Sequence, residues 1–430
     1  MSRKADGGAH PPQGTRRIVH VSDCFPPRVG GIETQVHDLA VEQARRGADV
    51  HVLTATADPA LPGGGRRAVT TTVDGVTVHR LASVATFGLP FHPLEDLLLP
   101  PVLRALQPDV VHVHAGVVSP FAYAGARAAR RAGLPLAVTW HCMLDGIAPF
   151  YAAGARVLGW GRARFAASAV SGVAAERVAA VLGRDDVAVV PNGLDVVSWS
   201  PDAGGPVPSS GSAEPAVSGV ERSEDERPGH AEVSGPLRVV ATQRLAPRKR
   251  AVPLVRILAA VHERLGRDEA GRPRVHAELI GGGPATSAVR SEVERRGLGD
   301  VVSVLGRLPR TELASRYAGR HVFLAPARLE AFGIAALEAR AAGLAVVAGR
   351  GTGISQFVTD GVDGLLTPDR ADGLDDAAAD QALADALVRL ATEKGLLAAI
   401  LRHTREVPPA ADWSDVVRAA DRLYESARRT

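Results

Sequence analysis

The feature that most constrains this fold is a repeated alternation of short apolar runs with stretches of helical spacing. In the first half of the chain the apolar runs are RIVHVS, ADVHVLTA, DVVHVHAG, PLAVTWH and VAVVPNG. Runs of this kind, separated by helices, are typical of parallel strands buried on both faces of a sheet. After the first run, the apolar positions of IETQVHDLAVEQARRG recur at helical spacing and Gly47 ends the helix. The first half therefore predicts a doubly wound α/β domain.

Residues 200–236 interrupt the alternation and differ in composition. They are rich in Pro, Gly, Ser and Glu. Such a segment buries too little apolar surface to offset the entropy lost on ordering. We predict a flexible linker insertion here, at a domain boundary. Residues 1–15 are similarly polar and predict a disordered tail.

The alternation starts again in the second half, with LRVVATQR, VHAELIGGGP, VVSVLGRL, HVFLAPAR and LAVVAGRG. A chain of 430 residues is also too long for one ordinary core. We therefore predict two Rossmann-like domains, at residues 16–199 and 237–408, and a C-terminal helix at residues 409–430. Because ligands of such sheets bind beyond the carboxyl ends of the strands, two domains facing an interdomain cleft would supply loops from both sides.

Charge and composition exclude several classes of protein. A net charge of +3 argues against a bulk nucleic-acid partner. The two cysteines, Cys24 and Cys142, lack the spacing of a metal site and suit a reducing compartment. The N-terminus has no apolar signal-peptide core, and no uncharged apolar run reaches the roughly 18 residues of a spanning helix. We expect a cytoplasmic protein with no nucleic-acid partner.

Two glycines, Gly30 and Gly31, precede the first predicted helix in PPRVGGIE. The start of a helix presents unpaired N–H groups and a partial positive charge, and glycines let an anionic group approach the backbone closely. The alternative is a tight strand-to-helix turn. The absence of GxGxxG disfavours a nicotinamide-binding site.

The loop QRLAPRKR places Arg244 and Lys249 after the first strand of the second half. Two fixed cations can neutralise a diphosphate, and they matter most when that diphosphate is a leaving group. The alternative is a solvated basic loop.

The segment EAFGIAALE carries two carboxylates eight residues apart, with Glu330 before a predicted helix and Glu338 on its second turn. The helix dipole alone can explain Glu330. A half-buried Glu338 needs hydrogen-bond donors, which sugar hydroxyls, Arg340 or another arginine can provide. Gly333 would leave N–H groups open to a ligand.

Histidines lie on two predicted strands. His141 ends PLAVTWH at the expected rim of the sheet, where a lone histidine is more often structural than catalytic. His112 and His114 alternate with Val113, and a metal site there would need further ligands that the sequence does not identify. No Asp-x-Asp pair suited to a metal–diphosphate complex is found, so a metal-independent site is expected.

Taken together, the motifs resemble the family 4 glycosyltransferases, which are retaining enzymes of the GT-B fold that use nucleotide sugars. The resemblance covers residues 16–425 apart from the insertion. It rests on GGIETQ, PNGLD, IGGGP, GVDGLL, the Arg-x4-Lys and Glu-x7-Glu spacings, and the C-terminal DWSDVVRAADRLYESARR. It implies a hexosyltransferase that moves a sugar from a nucleoside diphosphate sugar to a hydroxyl of a glycan, glycolipid or small molecule, with no cofactor.

The resemblance also implies roles in the second half. Glu330 would bind hydroxyls of the donor sugar and Glu338 the ribose hydroxyls. Arg244 and Lys249 would stabilise the departing diphosphate. Backbone N–H groups that would bind sugar and phosphates lie around Phe332, Gly333 and Ile334.

In the first half, Gly30 and Gly31 would shape the phosphate and acceptor side, and His141 would lie near the donor sugar. The chain departs from the family pattern at three positions. It has Gln243 where Gly is common, Ala345 where Pro is frequent, and Gln356 where Glu is usual.

Alternatives remain open at this stage. A phosphorylase, an epimerase or a non-catalytic nucleotide-sugar-binding protein would use the same fold. Residues 87–106 are apolar with few charges. They predict a core helix or, as the resemblance implies for enzymes with lipid-linked acceptors, a peripheral contact with the inner face of the membrane.

Overall fold

The computed structural model describes residues 15–28, 30–61, 68–82, 90–145, 148–157, 160, 163–200 and 235–430. Nearly all of the predicted tail and linker insertion lies outside these residues. The chain forms two compact units. The first contains the residues up to Gly193 together with Trp413–Thr430, and the second is Leu194–Asp412.

The first unit is built on one mixed sheet. In sheet order its strands are β3 (Val69–Val73), β4 (Val76–Arg80), β2 (Asp49–Thr54), β1 (Arg17–Ser22), β5 (Val110–Ala115), β6 (Leu136–Trp140), β7 (Ala166–Ala169) and β8 (Ala188–Val189). Only the β3–β4 hairpin is antiparallel. The predicted run VAVVPNG forms just the two-residue β8. The strand order reverses between β1 and β5, so loops that follow these two strands lie beside each other.

Helices cover the first sheet on both faces, as a parallel sheet requires. They are α1 (Gly31–Arg45), α2 (Glu95–Leu106), α3 (Pro120–Arg131), α4 (Ala148–Val157), α5 (Gly172–Leu182) and the last helix of the chain, α13 (Trp413–Arg429). Helix α13 carries apolar residues at helical spacing, and Ala420, Leu423 and Tyr424 pack on Ile18 and Val110 of the sheet. The C-terminal helix therefore belongs to the core of the first unit.

The second unit contains an all-parallel sheet. In sheet order its strands are β11 (Val302–Gly306), β10 (Val275–Ile280), β9 (Leu237–Thr242), β12 (Val322–Ala325), β13 (Ala345–Gly349) and β14 (Gly364–Thr367). Its helices are α6 (Val196–Trp199), α7 (Ala251–Leu265), α8 (Thr286–Arg295), α9 (Arg310–Tyr317), α10 (Ile334–Ala341), α11 (Asp376–Thr392) and α12 (Leu396–Glu406). The order reverses between β9 and β12, which is where open α/β sheets bind ligands.

The apolar stretch at residues 87–106 is described from residue 90 onward. Its helix α2 buries Leu99 and Leu103, whereas Leu97 is 71% exposed. The helix thus contributes to the core and also presents apolar surface. No helix in the described part of the chain is long and apolar enough to cross a bilayer.

Candidate active site

The reversal of strand order in the second unit brings a lysine and a glutamate into contact. Lys249 ends a 3-10 turn in the loop after β9, and Glu330 lies in the loop after β12. The Lys249 Nζ lies 2.5 Å from a carboxylate oxygen of Glu330. The two side chains are 23% and 22% exposed, so a ligand can reach both members of the pair. Arg244, in the same loop as Lys249, is exposed.

The glycines of IGGGP contact the backbone of the loop that follows β9. Gly281 has φ +136°, and a Cβ there would lie 1.9 Å from the carbonyl oxygen of Gln243. Backbone hydrogen bonds join Leu245 N–H to Gly282 O (3.1 Å) and Ala285 N–H to Leu245 O (2.9 Å). These contacts fix the loop that carries Arg244. Sequence reasoning did not identify this role of the glycines, because it depends on the pairing of β9 with β10.

The start of α10 presents donors next to Glu330. Gly333 has φ +92°, and a Cβ there would lie 2.6 Å from Cγ1 of Ile354. A side chain at this position would therefore meet both strain and a clash. Within the described chain, no acceptor contacts the N–H groups of Phe332, Gly333 or Ile334. The Gly353 N–H donates to the Glu330 carbonyl at 2.8 Å, which holds the Glu330 backbone in place.

Glu338 is paired with an arginine on another helix. Its side chain is 8% exposed, and one oxygen lies 3.0 Å from Nε of Arg310. The Arg310 guanidinium, 41% exposed, also lies over the ring of Trp199 at 5.6 Å. Of the arginines considered from the sequence, Arg340 is not the partner: it contacts Asp363 at 2.5 Å. The structure shows the salt-bridge alternative for Glu338, and hydroxyl binding by this carboxylate stays a prediction.

In the first unit, the two predicted glycines begin α1. Gly30 is the extended residue before the helix, and Gly31 is its exposed first residue. Glu33 lies in the first turn, with its carboxylate close to Gly30. This carboxylate competes with an anionic ligand for the partial positive charge of the helix start.

Three motifs of the first unit meet around Gly193. The Gln35 amide donates to the Gly193 carbonyl at 2.9 Å and accepts from the Gly193 N–H at 2.8 Å. A Cβ on Gly193 would lie 2.6 Å from the ring of Trp413. GGIETQ, PNGLD and the start of the C-terminal helix are therefore one supporting structure.

His141 follows β6 and is the outermost residue of a polar chain. Its backbone N–H donates to Ala115 at 2.9 Å. Its ring Nε2 lies 3.0 Å from Nδ1 of His114. Burial lowers the pKa of His141 to about 4, so the ring is neutral at pH 7.

The hydrogen-bonded polar chain continues along the sheet through fully buried histidine rings. His114 Nε2 lies 2.9 Å from Nδ1 of His20, and His20 Nε2 lies 2.8 Å from the amide oxygen of Gln43. Burial lowers the pKa of His20 to about 4 and holds the pKa of His114 well below its ordinary value. Register pairs His20 on β1 with His112 on β5, which the sequence alone did not reveal.

Three of these histidines also form a geometric candidate for a metal site. Ligand atoms of His20, His112 and His114 lie within 4.8 Å of one another. His20 is the further ligand that the sequence did not identify. However, every one of the six ring nitrogens already has a hydrogen-bond partner, including Tyr424 (2.8 Å) and Thr139 (2.7 Å) for His112. A metal ion would have to break these bonds, so the geometry favours a hydrogen-bonded chain.

Two α/β units, each built on a mainly or wholly parallel sheet, and the charged loops at the β9–β12 reversal define the class of GT-B glycosyltransferases. Two family models match: Glycosyltransferase Family 4 over residues 29–197, and Glycosyl transferases group 1 over residues 222–394. The chain belongs to the family 4 glycosyltransferases, which confirms the family predicted from the motifs.

Similar proteins agree with this family. The chain is 31% identical to the D-inositol 3-phosphate glycosyltransferase of Actinosynnema mirum, over 86% of this chain and 89% of that protein. It is 30% identical to the protein of the same name from Kineococcus radiotolerans, over 82% of each.

Solved structures show the same fold. The sucrose-phosphate synthase of Thermosynechococcus elongatus superposes with a TM-score of 0.67 at 19% identity, over 95% of this chain and 98% of that one. HepE of Anabaena, in complex with UDP and glucose, gives 0.64 at 19% identity, over 96% and 100%. These likenesses confirm the predicted fold class.

Proposed function

We propose that this glycosyltransferase moves a sugar from a nucleoside diphosphate sugar to an acceptor hydroxyl with retention at the anomeric carbon. The observation that carries the proposal is the contact between Lys249 and Glu330 at the β9–β12 reversal. An accessible ammonium and carboxylate at this position suit a ligand that presents phosphate oxygens and hydroxyls side by side.

Lys249 and Arg244 would act on the leaving group. The ammonium has three donors, of which Glu330 uses one, so the others can reach the diphosphate oxygens. Fixed cations stabilise the charge that develops as the diphosphate leaves, without reorganisation at the moment of reaction. Open N–H groups at Phe332, Gly333 and Ile334 would add to this stabilisation.

The contact of Glu330 with Lys249 supports a proposal of retention without a covalent intermediate. The Glu330 carboxylate is engaged by Lys249, which suits binding of sugar hydroxyls more than attack on the anomeric carbon. We propose front-face attack, in which the leaving phosphate accepts the proton of the acceptor hydroxyl. Catalysis then rests on positioning and charge stabilisation, and the cationic side chains do the work for which other enzymes use a metal. No cofactor enters the proposal.

Glu338 and Arg310 would form the nucleotide end of the site. A carboxylate that is 8% exposed needs donors, and ribose hydroxyls can replace or join Arg310. Gly30 and Gly31 would face the phosphate and acceptor side, and the neutral ring of His141 would contact the donor sugar.

For the acceptor, we propose an inositol phosphate as the first small molecule to test. The support is that relatives similar over most of their length carry the name D-inositol 3-phosphate glycosyltransferase. A glycan or glycolipid acceptor remains an alternative, and with it the contact of the exposed Leu97 with a membrane. Co-sedimentation with liposomes tests that contact.

The experiment begins with thermal unfolding in the presence of UDP-glucose, UDP-N-acetylglucosamine, GDP-mannose and ADP-glucose. A donor at 100 times its Kd stabilises the fold by about 2.7 kcal/mol. Transfer from the stabilising donor to D-inositol 3-phosphate is then followed, with NMR of the product anomer. Binding without turnover on D-inositol 3-phosphate, on glycans or on glycolipids would favour a sensor, and phosphate-dependent release of a sugar phosphate would favour a phosphorylase.

A further inference from the structure

The buried polar chain of the first unit has a second arm. The Gln43 amide nitrogen donates to the Tyr424 hydroxyl at 3.0 Å. That hydroxyl lies 2.8 Å from Nδ1 of His112, whose Nε2 lies 2.7 Å from the Thr139 hydroxyl. The hydroxyl oxygens of Thr139 and Ser168 lie 2.7 Å apart. One glutamine side chain therefore joins two runs of hydrogen bonds inside the sheet.

The amide orientation of Gln43 decides where each proton lies. The amide oxygen faces His20, so Nε2 of His20 must carry a proton and its Nδ1 must accept. The accepting Nδ1 requires a proton on Nε2 of His114, which leaves Nδ1 of His114 to accept. That acceptor in turn requires a proton on Nε2 of His141. Each step follows because a neutral imidazole has one donor and one acceptor.

The amide orientation of Gln43 also fixes the positions of the protons in the second arm. The Gln43 N–H group donates to Tyr424, so the Tyr424 hydroxyl donates to Nδ1 of His112. Nε2 of His112 then donates to Thr139. Every hydrogen bond in the two arms joins one donor to one acceptor, so the proton order is self-consistent from one end to the other.

We infer that Gln43, His20 and His114 are positioning residues that hold His141 in the Nε2–H tautomer, so that His141 presents Nδ1 to the ligand as a hydrogen-bond acceptor. The chemical partner of such an atom is a hydroxyl group, not an anionic oxygen. The inference rests on the proposed function in one respect, namely that the hydroxyl belongs to the donor sugar.

The burial of these side chains keeps the proton order fixed. His20, His112 and His114 are 0%, 0% and 2% exposed, and Gln43 is 2% exposed. Water does not compete for these protons, and an unsatisfied donor in this interior would be costly. The opposite proton order is self-consistent only if the Gln43 amide is turned over, in which case all four rings would carry their proton on Nδ1.

The first test needs no ligand. The full chain is prepared with 15N-labelled histidine, and long-range 1H–15N spectra are recorded at pH 7. Peaks are assigned by their loss in His141→Asn, His114→Asn and His20→Asn. We expect His141, His114 and His20 to be neutral Nε2–H tautomers. A Nδ1–H tautomer or an imidazolium at His141 would overturn the inference.

The second test removes the group that sets the order. Gln43→Met keeps the length of the side chain and deletes its donor and acceptor. We expect His141 to become a mixture of tautomers, although the substitution lies three hydrogen bonds away. An unchanged Nε2–H spectrum of His141 in folded Gln43→Met would overturn the proposed role of Gln43.

Binding measurements separate positioning from general damage. Affinity for the four nucleotide sugars of the panel should fall roughly two- to tenfold in Gln43→Met, the scale of one weakened hydrogen bond. Affinity for free UDP or GDP should not change, because the hydroxyl that His141 meets is on the sugar. Equal losses for sugar nucleotide and free nucleotide would contradict the inference.

A matched control is available on the same sheet. His51 Nδ1 and His79 Nε2 form another histidine–histidine hydrogen bond, of 3.0 Å, which is not connected to the hydrogen-bonded polar chain. His79→Gln should leave the His141 spectrum and the affinities unchanged, and a shift of the His141 tautomer in this variant would contradict the inference. If no panel nucleotide binds, the proposed function fails while the ligand-free spectra still decide the tautomer.

Discussion

The two units share a fold, but the polar residues around their candidate sites are stabilised in opposite ways. In the first unit, four histidines, a glutamine and a tyrosine form a neutral chain whose inner rings are at most 2% exposed. In the second unit, the site uses full charges, with Lys249 on Glu330 and Arg310 on Glu338. The neutral chain avoids the cost of burying ions, which is several kcal/mol each.

Under the proposed function, this difference would suit the two kinds of group on a nucleoside diphosphate sugar. A diphosphate needs cations that stay partly solvated until it binds, and Lys249 is 23% exposed. A sugar hydroxyl needs an acceptor of fixed direction, which a neutral ring inside a hydrogen-bonded chain supplies. The contrast predicts that the second unit is most sensitive to substitution of its charged side chains. It also predicts that the stability of the first unit depends on the protonation of its buried histidines.

The largest effect is expected where a charged pair of the second unit is fully buried. Arg340 and Asp363 are 2% and 8% exposed, and Arg340 also donates to the carbonyls of Thr404 and Val407. Arg340→Met should cost about 3–5 kcal/mol of unfolding free energy, because it leaves the buried Asp363 carboxylate with only the Thr359 N–H and His403 as partners. Urea unfolding measures the loss. The control is Arg389→Met, whose pair with Glu393 has both side chains more than half exposed and should contribute about 1 kcal/mol or less. Equal losses for the two variants would show that burial does not set the strength of these pairs.

The next effect concerns turnover. Lys249→Ala should lower kcat by ~10² or more, as for loss of one preorganised donor to a developing charge. Steady-state kinetics with the active donor measures it, and the exposed Lys394→Ala controls for loss of a lysine. A kcat close to that of the unsubstituted enzyme would remove Lys249 from the leaving-group role.

Nucleotide binding should respond to Glu338. Glu338→Ala should weaken binding of the free nucleotide by about 1.5–3 kcal/mol, the usual scale for charged hydrogen bonds. Calorimetry with UDP and GDP gives the affinity, and Glu338→Gln retains an acceptor and should recover part of it. Unchanged affinity in the alanine variant would leave Glu338 as a structural partner of Arg310 only.

The elements that the sequence revealed are those encoded locally. β1 and β2 are predicted because their β-branched runs are continuous, whereas β7, with the sequence AASA, has no such signal. The sequence placed Lys249 and Glu330 in loops that follow strands, and their contact depends on the pairing of β9 with β12. The pairing of Glu338 with Arg310 depends instead on how α9 packs against α10.

The histidine chain marks the same limit in the first unit. Spacing places His112 and His114 on one face of β5, but their contact with His20 depends on the register of β1 against β5. Gln43 and Tyr424 join them from helices far apart in the sequence. Nonlocal packing of this kind leaves no pattern in a single sequence.

The smallest predicted effect tests the neutral side of the comparison by pH. Burial lowers the pKa of His20 from 6.5 to about 4. Between these values the unfolded chain binds more protons than the native one, so stability falls as the pH drops through this window. At pH 5 the loss from His20 alone is about 2 kcal/mol relative to pH 7.5.

Fluorescence can assign this acid sensitivity to the first unit. Trp199 is in the second unit, and the other tryptophans, Trp140, Trp160 and Trp413, are in the first. Urea unfolding of Trp199→Phe at pH 7.5 and pH 5 therefore reports on the first unit. Burial also raises the pKa of Asp23 in this unit to about 7, which adds stability on acidification, so the comparison is made with Asp23→Asn in the same background. Equal stability of that variant at the two pH values would mean that the buried rings take up protons as readily in the native state as in the unfolded chain. In that case the buried histidines of the first unit would also become charged, and the contrast between a neutral first site and a charged second site would fail.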